Sequence, residues 1–94
     1  AELAHWVDIR PGAAAAAVQE LQLNGVGTHD SLTDALAVGD FDFVVDVTVP
    51  EAHCAVTCEA LAAGFPVLGE KPMAASLEEA RRMIAASEAS QKLY

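Results

Sequence analysis

Phe41-Asp42-Phe43-Val44-Val45-Asp46-Val47-Thr48-Val49 is the most strand-like stretch of the chain. β-Branched and aromatic residues suit a pleated surface, and here they follow one another almost without polar interruption. A strand with one wet face would alternate apolar with polar residues. Near-continuous apolar character instead predicts a strand covered on both faces, as in a parallel sheet with helices on each side. Asp46 breaks the run, and the sequence leaves open whether it is paired or partly exposed.

Downstream, Pro50-Glu51 opens a helix that places Ala52, Ala55, Val56, Ala60 and Leu61 on overlapping i, i+3, i+4 positions and stops at Gly64. Pro66-Val67-Leu68-Gly69-Glu70-Lys71-Pro72 follows, a short apolar run ending in a carboxylate, an ammonium and a proline that cannot continue a ladder. Ligands of open parallel sheets lie outside the carboxyl ends of the strands, so Glu70 and Lys71 are candidate site residues; a solvated charged turn is the competing reading. Ser76-Leu77-Glu78-Glu79 matches a capping box and predicts a helix to about residue 90, with Leu77, Ala80, Met83 and Ile84 on one face. Leu93-Tyr94 is too short to assign as a further strand.

Upstream, residues 3–7 form a short apolar run ending at Asp8. Arg10-Pro11-Gly12 then opens an alanine-rich helix through Leu23, stopped by Asn24-Gly25. Asp8 reads either as a turn or cap residue or as a ligand at a strand end. His5 and Trp6 read as packing or surface residues. A very short strand is expected at residues 26–28, with His29 in a surface loop. Ser31 is then expected to cap a brief helix through Val38. Strands alternating with helices at this spacing define an α/β chain with a doubly wound parallel sheet and right-handed crossovers.

The 94 residues suffice for one small domain, and much of the 53% hydrophobic content is alanine, which buries little area. Fourteen acidic against five basic residues give a net charge of −9, which would repel a phosphate backbone or an anionic bilayer. Neither nucleic acid nor membrane is therefore an expected partner, and without an apolar span or secretion signal the expected location is cytoplasmic. Cys54 and Cys58, a helical turn apart, suit a disulfide badly and read as small packing residues; His53 beside them would leave a metal short of ligands.

Thr48-Val49-Pro50-Glu51-Ala52-His53, a helix ending Ala62-Ala63-Gly64, then Val67-Leu68-Gly69-Glu70-Lys71-Pro72 and Ser76-Leu77-Glu78-Glu79-Ala80 resemble the nucleotide-binding domain of the Gfo/Idh/MocA oxidoreductases. The resemblance covers essentially the whole chain. It implies a Rossmann-like fold and an NAD(P)-dependent dehydrogenase that moves a hydride between the cofactor and a sugar- or polyol-like substrate, as a homo-oligomer when complete. By the same resemblance Asp8 matches the acidic residue on the adenosine ribose, favouring NAD, while Arg10 nearby could accept the 2′-phosphate of NADP. Thr48, Val49, Pro50 and His53 match the loop along the nicotinamide half. Glu70 and Lys71 match the active-site pair, in which the lysine hydrogen-bonds the substrate hydroxyl.

Two departures from the family pattern carry expectations. Val49 stands where the family often has proline directly after the threonine, which predicts a less rigid loop. No stretch matches the opening strand and G-x-G-x-x-G turn that hold the pyrophosphate. That strand is central in the sheet, so the sheet is expected to be incomplete and split in two. Residues 1–94 are then a partial dinucleotide-binding domain without a substrate domain, expected to be inactive alone. A non-catalytic nucleotide-sensing or assembly module with the same fold is the alternative.

Overall fold

The computed structural model describes residues 2–94. Its elements are β1 (His5–Val7), α1 (Ala13–Glu20), β2 (Gly27–His29), α2 (Leu32–Val38), β3 (Val44–Asp46), α3 (Pro50–Ala62), β4 (Val67–Gly69) and α4 (Leu77–Ser90). The alternation is as expected. β1 pairs in parallel with β2, and β3 in parallel with β4, giving two two-stranded sheets among the described residues, the split that was expected. The chain divides into two compact units, one running to Phe41 and one from Asp42 to Tyr94.

In the first unit, α1 and α2 both pack on the β1–β2 pair, with Ala14 and Ala35 fully enclosed. α1 is shorter than its alanine content suggests. Gln22 takes a left-handed conformation (φ 54°), its N–H donates to the Gln19 carbonyl and that of Leu23 to the Val18 carbonyl. This is the double closure that usually ends a helix at glycine, achieved here two residues before Asn24-Gly25. Ser31 caps α2 as expected, its Oγ accepting from the Asp34 N–H at 3.2 Å. His29 belongs to β2 and not to a surface loop.

In the second unit, α3 touches both strands and α4 packs on α3. Leu61, Met83 and Ala60 form the core with Val67 and Cys54. α3 stops where expected, with Gly64 at φ 95° donating to the Leu61 carbonyl and Phe65 to that of Ala60. Ser76 caps α4, accepting from the Glu79 N–H at 3.1 Å.

Three expectations about packing fail. The buried stripe of α3 is His53, Cys54, Thr57, Ala60 and Leu61, rotated from the predicted face because polar residues take inward positions. The β3–β4 sheet is covered on one face only: Val67 is enclosed against α3, while Val45 (55% exposed) and Leu68 (63%) lie bare on the opposite face. Successive strand side chains alternate sides, so a single covering helix leaves every second residue in solvent. On α4 likewise Met83 is buried, but Leu77 and Ile84 are exposed. The Leu93 carbonyl accepts from the Val67 N–H at 3.0 Å, one bond of a strand-like pairing that goes no further, and Tyr94 lies over Gly69.

Candidate functional site

The carboxyl ends of β3 and β4 carry most of the predicted site residues. The register pairs Asp46 with Gly69, so the chain leaves both strands at the same level. The Glu70 N–H donates to the Asp46 carbonyl at 3.2 Å, extending the pairing one residue beyond β4. Lys71 follows directly, joined to Pro72 by a cis peptide bond. Both Glu70 and Lys71 are exposed, and the Lys71 ammonium has no hydrogen-bond or ion-pair partner among the described residues.

Asp46 organises the other side of this edge. It is 2% exposed, and its Oδ1 accepts from the Thr48 N–H at 3.0 Å and from the Thr48 hydroxyl at 2.6 Å. Side chains of Asp commonly bond the backbone two residues on, and here that habit fixes the exit of β3. Its Oδ2 has no partner. Val49 is exposed at the N-terminus of α3, and Pro50 occupies the first turn, where a missing N–H costs nothing.

His53 closes the bracket from below. One ring nitrogen, Nε2, lies 2.8 Å from the Thr48 carbonyl oxygen and the other, Nδ1, 2.8 Å from that of Pro72. Burial, the largest single influence, pulls the imidazole pKa down. The Thr48 and Pro72 carbonyls, the Asp46 charge and the Met73 carbonyl together outweigh it, leaving the pKa above the ordinary histidine value. Beside it Cys54 and Cys58 are free thiols with their sulfurs 4.0 Å apart; burial, first, and the neighbouring Cys54 push the Cys58 thiol up.

Asp8 and Arg10 lie in the first unit, just past β1. Asp8 Oδ1 accepts from the Arg10 N–H at 2.9 Å and from Arg10 Nε at 3.1 Å, while Oδ2 accepts from the other arm of the guanidinium at 2.7 Å. These bonds pull the Asp8 carboxyl down to about 2, so it stands ionised. A forked guanidinium matches a carboxylate on two points, which orients both groups. The turn role and a ligand role for Asp8 are thus compatible: the turn presents an ionised carboxylate with lone pairs to spare. Asp30 steadies the same turn, accepting from the Gly12 N–H at 3.1 Å.

The first unit also holds an open groove of about 520 Å³ lined by His5, Asp40 and residues 23–27. It lies at the amino ends of β1 and β2, the wrong end for a ligand of a parallel sheet. His5 Nε2 donates to the Asp40 carboxylate there, and Nδ1 lies 3.0 Å from His29 Nε2.

The structure thus brings Thr48, Val49, Pro50, His53, Glu70 and Lys71 together at one edge, and it adds Asp46, which sequence reading left open, as the residue that binds the edge together. The signal was present: one acid in an apolar run, two residues before a threonine.

Known proteins match this architecture. Residues 1–94 match the oxidoreductase family with an NAD-binding Rossmann fold, Gfo/Idh/MocA. A 1,5-anhydro-D-fructose reductase from Ensifer adhaerens is 40% identical over 65 residues, 68% of this chain and 20% of that protein. Among solved structures, the WlbA dehydrogenase of Chromobacterium violaceum, in complex with NADH and UDP-GlcNAcA, is 40% identical with a TM-score of 0.86, over 97% of this chain and 26% of that one. The WlbA dehydrogenase of Bordetella pertussis, with the same two ligands, is 34% identical with a TM-score of 0.87, over 97% and 25%. The chain spans about a fifth to a quarter of the length of these relatives. No helix among the described residues is long and apolar enough to cross a membrane. By its match from end to end, this chain belongs to the Gfo/Idh/MocA family of oxidoreductases, whose fold is an NAD-binding Rossmann fold.

Proposed function

We propose that this chain supplies part of the cofactor domain of an NAD(P)-dependent dehydrogenase acting on a hydroxyl or carbonyl of a sugar- or polyol-like substrate, with Lys71 as its catalytic residue. The observation that carries this reading is the exposed, unpartnered Lys71 ammonium at the carboxyl end of β4, beside an edge braced by Asp46, Thr48 and His53. Sugar-like substrates are supported by the reductase and nucleotide-sugar relatives.

The nicotinamide, when bound, supplies the hydride chemistry. The residues present suit two of its three parts. Asp8, ionised and oriented by Arg10, fits the hydroxyls of an adenosine ribose, and the 48–50 loop offers a fixed edge for the nicotinamide half. The glycine-rich turn that would hold the pyrophosphate is not among these residues. The Lys71 ammonium would donate a hydrogen bond to the reacting oxygen and stabilise the negative charge that develops there as a carbonyl becomes an alkoxide. Glu70 would lie beside it, held by its N–H on the Asp46 carbonyl.

The test is hydride transfer by the complete protein, followed by nicotinamide absorbance over a panel of nucleotide sugars, free sugars and polyols. Lys71→Ala should lower kcat by about 10²-fold or more, with NADH affinity nearly unchanged. Full activity in that variant would refute the assignment.

A further inference from the structure

Carbonyl oxygens only accept hydrogen bonds, and both ring nitrogens of His53 face one at 2.8 Å. A neutral imidazole carries one N–H and one acceptor nitrogen, so it could satisfy one carbonyl while its bare nitrogen opposed the other lone pair to lone pair. Only the doubly protonated ring donates in both directions. We propose that His53 is held as an imidazolium staple that ties the exit of β3, through Thr48, to the segment after Lys71, through Pro72, and so acts as a positioning residue for the Glu70-Lys71 pair.

The surroundings agree with a buried cation. His53 is 2% exposed, and Asp46, also 2% exposed, leaves Oδ2 without a hydrogen-bond partner. Asp46 at the end of β3 is the ionisable group whose charge acts on the ring; the segment after β4 presents the Pro72 and Met73 carbonyls, and no ionisable side chain of β4 or α4 contributes. Each of these favours the protonated form against the cost of burial. With both nitrogens occupied and the ring enclosed, His53 serves the 48–50 loop by bracing it. The staple spans 19 residues of sequence and meets the chain one residue past Lys71.

The positioning role rests on the reading of Lys71 as the catalytic residue; the protonation state does not. The chain contributes three histidines to the complete protein, and histidine-selective ¹⁵N labelling lets the His53 ring be followed by long-range proton–nitrogen correlation. The titration would run from about pH 5 to about pH 9, across the ordinary histidine range. Both His53 nitrogens should be protonated at pH 6.5, with the single deprotonation above that value. The Lys71 and Met73 amides should shift with the same midpoint, and in His53→Gln that step should vanish from both amides. A single neutral tautomer at pH 6.5 would overturn the staple, and amides at 71 and 73 that ignore the His53 step would overturn the positioning. The wild-type titration alone decides both if the variant does not fold. Lys71→Ala should leave the His53 titration intact, so an active Lys71→Ala enzyme would remove the catalytic reading without touching the staple.

Discussion

Replacing His53 with alanine is the sharpest probe of what braces the candidate site. The substitution removes two charge-assisted hydrogen bonds and empties the space of an enclosed ring. Bonds to charged groups contribute roughly 1.5–3 kcal/mol each. Thr48 and Pro72 are themselves exposed residues, so water can reach the freed carbonyls and the lower end of that range applies. A loss of about 3 kcal/mol is expected from the two bonds, against a total of roughly 5–14 kcal/mol for a chain of this length. The folded pKa lies above the unfolded one, so the protonation-linked part is fully present below about pH 6.5 and is lost as pH rises through the raised folded pKa. Urea unfolding followed by far-ultraviolet circular dichroism should therefore show a wide gap between wild type and His53→Ala at pH 6 that narrows at alkaline pH. His53→Gln, which can still donate to one carbonyl, should lose about half as much. A cost below about 1 kcal/mol at pH 6, or a gap that widens with pH, would refute the reasoning.

Two further outcomes test the first unit. Gly27→Ala places a Cβ 2.5 Å from His5 Nδ1, and that ring is pinned by Asp40 and His29, so it cannot simply swing aside. We expect a loss of about 1–3 kcal/mol in urea unfolding, largely relieved when His5→Ala is combined with it. Arg10→Gln removes the guanidinium fork from Asp8, and the Asp8 pKa should rise from about 2 toward the ordinary 3.8, read by carbon-detected titration of the carboxyl. Because the folded pKa is depressed, the pair's contribution to stability is present above about 3.8 and fades as pH falls through about 2, so the variant should differ from wild type near neutrality and converge with it in acid.

The elements were legible because their signals are local. Ser31 and Ser76 cap the helices they precede and Gly64 ends α3, each through bonds within a few residues, and the 41–49 run marks a strand by its residue types. Strand extent and facing were not. The nine apolar-rich residues yield only Val44–Asp46 as β3, because a strand lasts only as long as its partner, and β4 offers three residues. The unbroken apolar run predicts burial on both faces, whereas a residue's exposure depends on which side a helix lies. Gln22 shows the converse: no propensity rule marks it as a helix end, yet its backbone takes the role that glycine usually fills.

The loop after β3 departs from the family pattern at position 49. Valine in place of proline at position 49 removes a fixed φ and predicts a looser loop. Thr48, the residue before it, is instead held three ways: its N–H and hydroxyl by Asp46, and its carbonyl by His53. Proline would constrain one backbone angle; these bonds constrain the peptide on both sides of Thr48 and connect it, through the same imidazole, to Pro72. The placement of this edge then depends on two buried polar side chains and, in the proposed staple, on the proton that His53 holds. A ring constraint is indifferent to pH, and this one is not. The Asp46 and His53 pair is in that sense a different solution to the same requirement, and in the proposed staple the placement of Lys71 would answer to the protonation of His53.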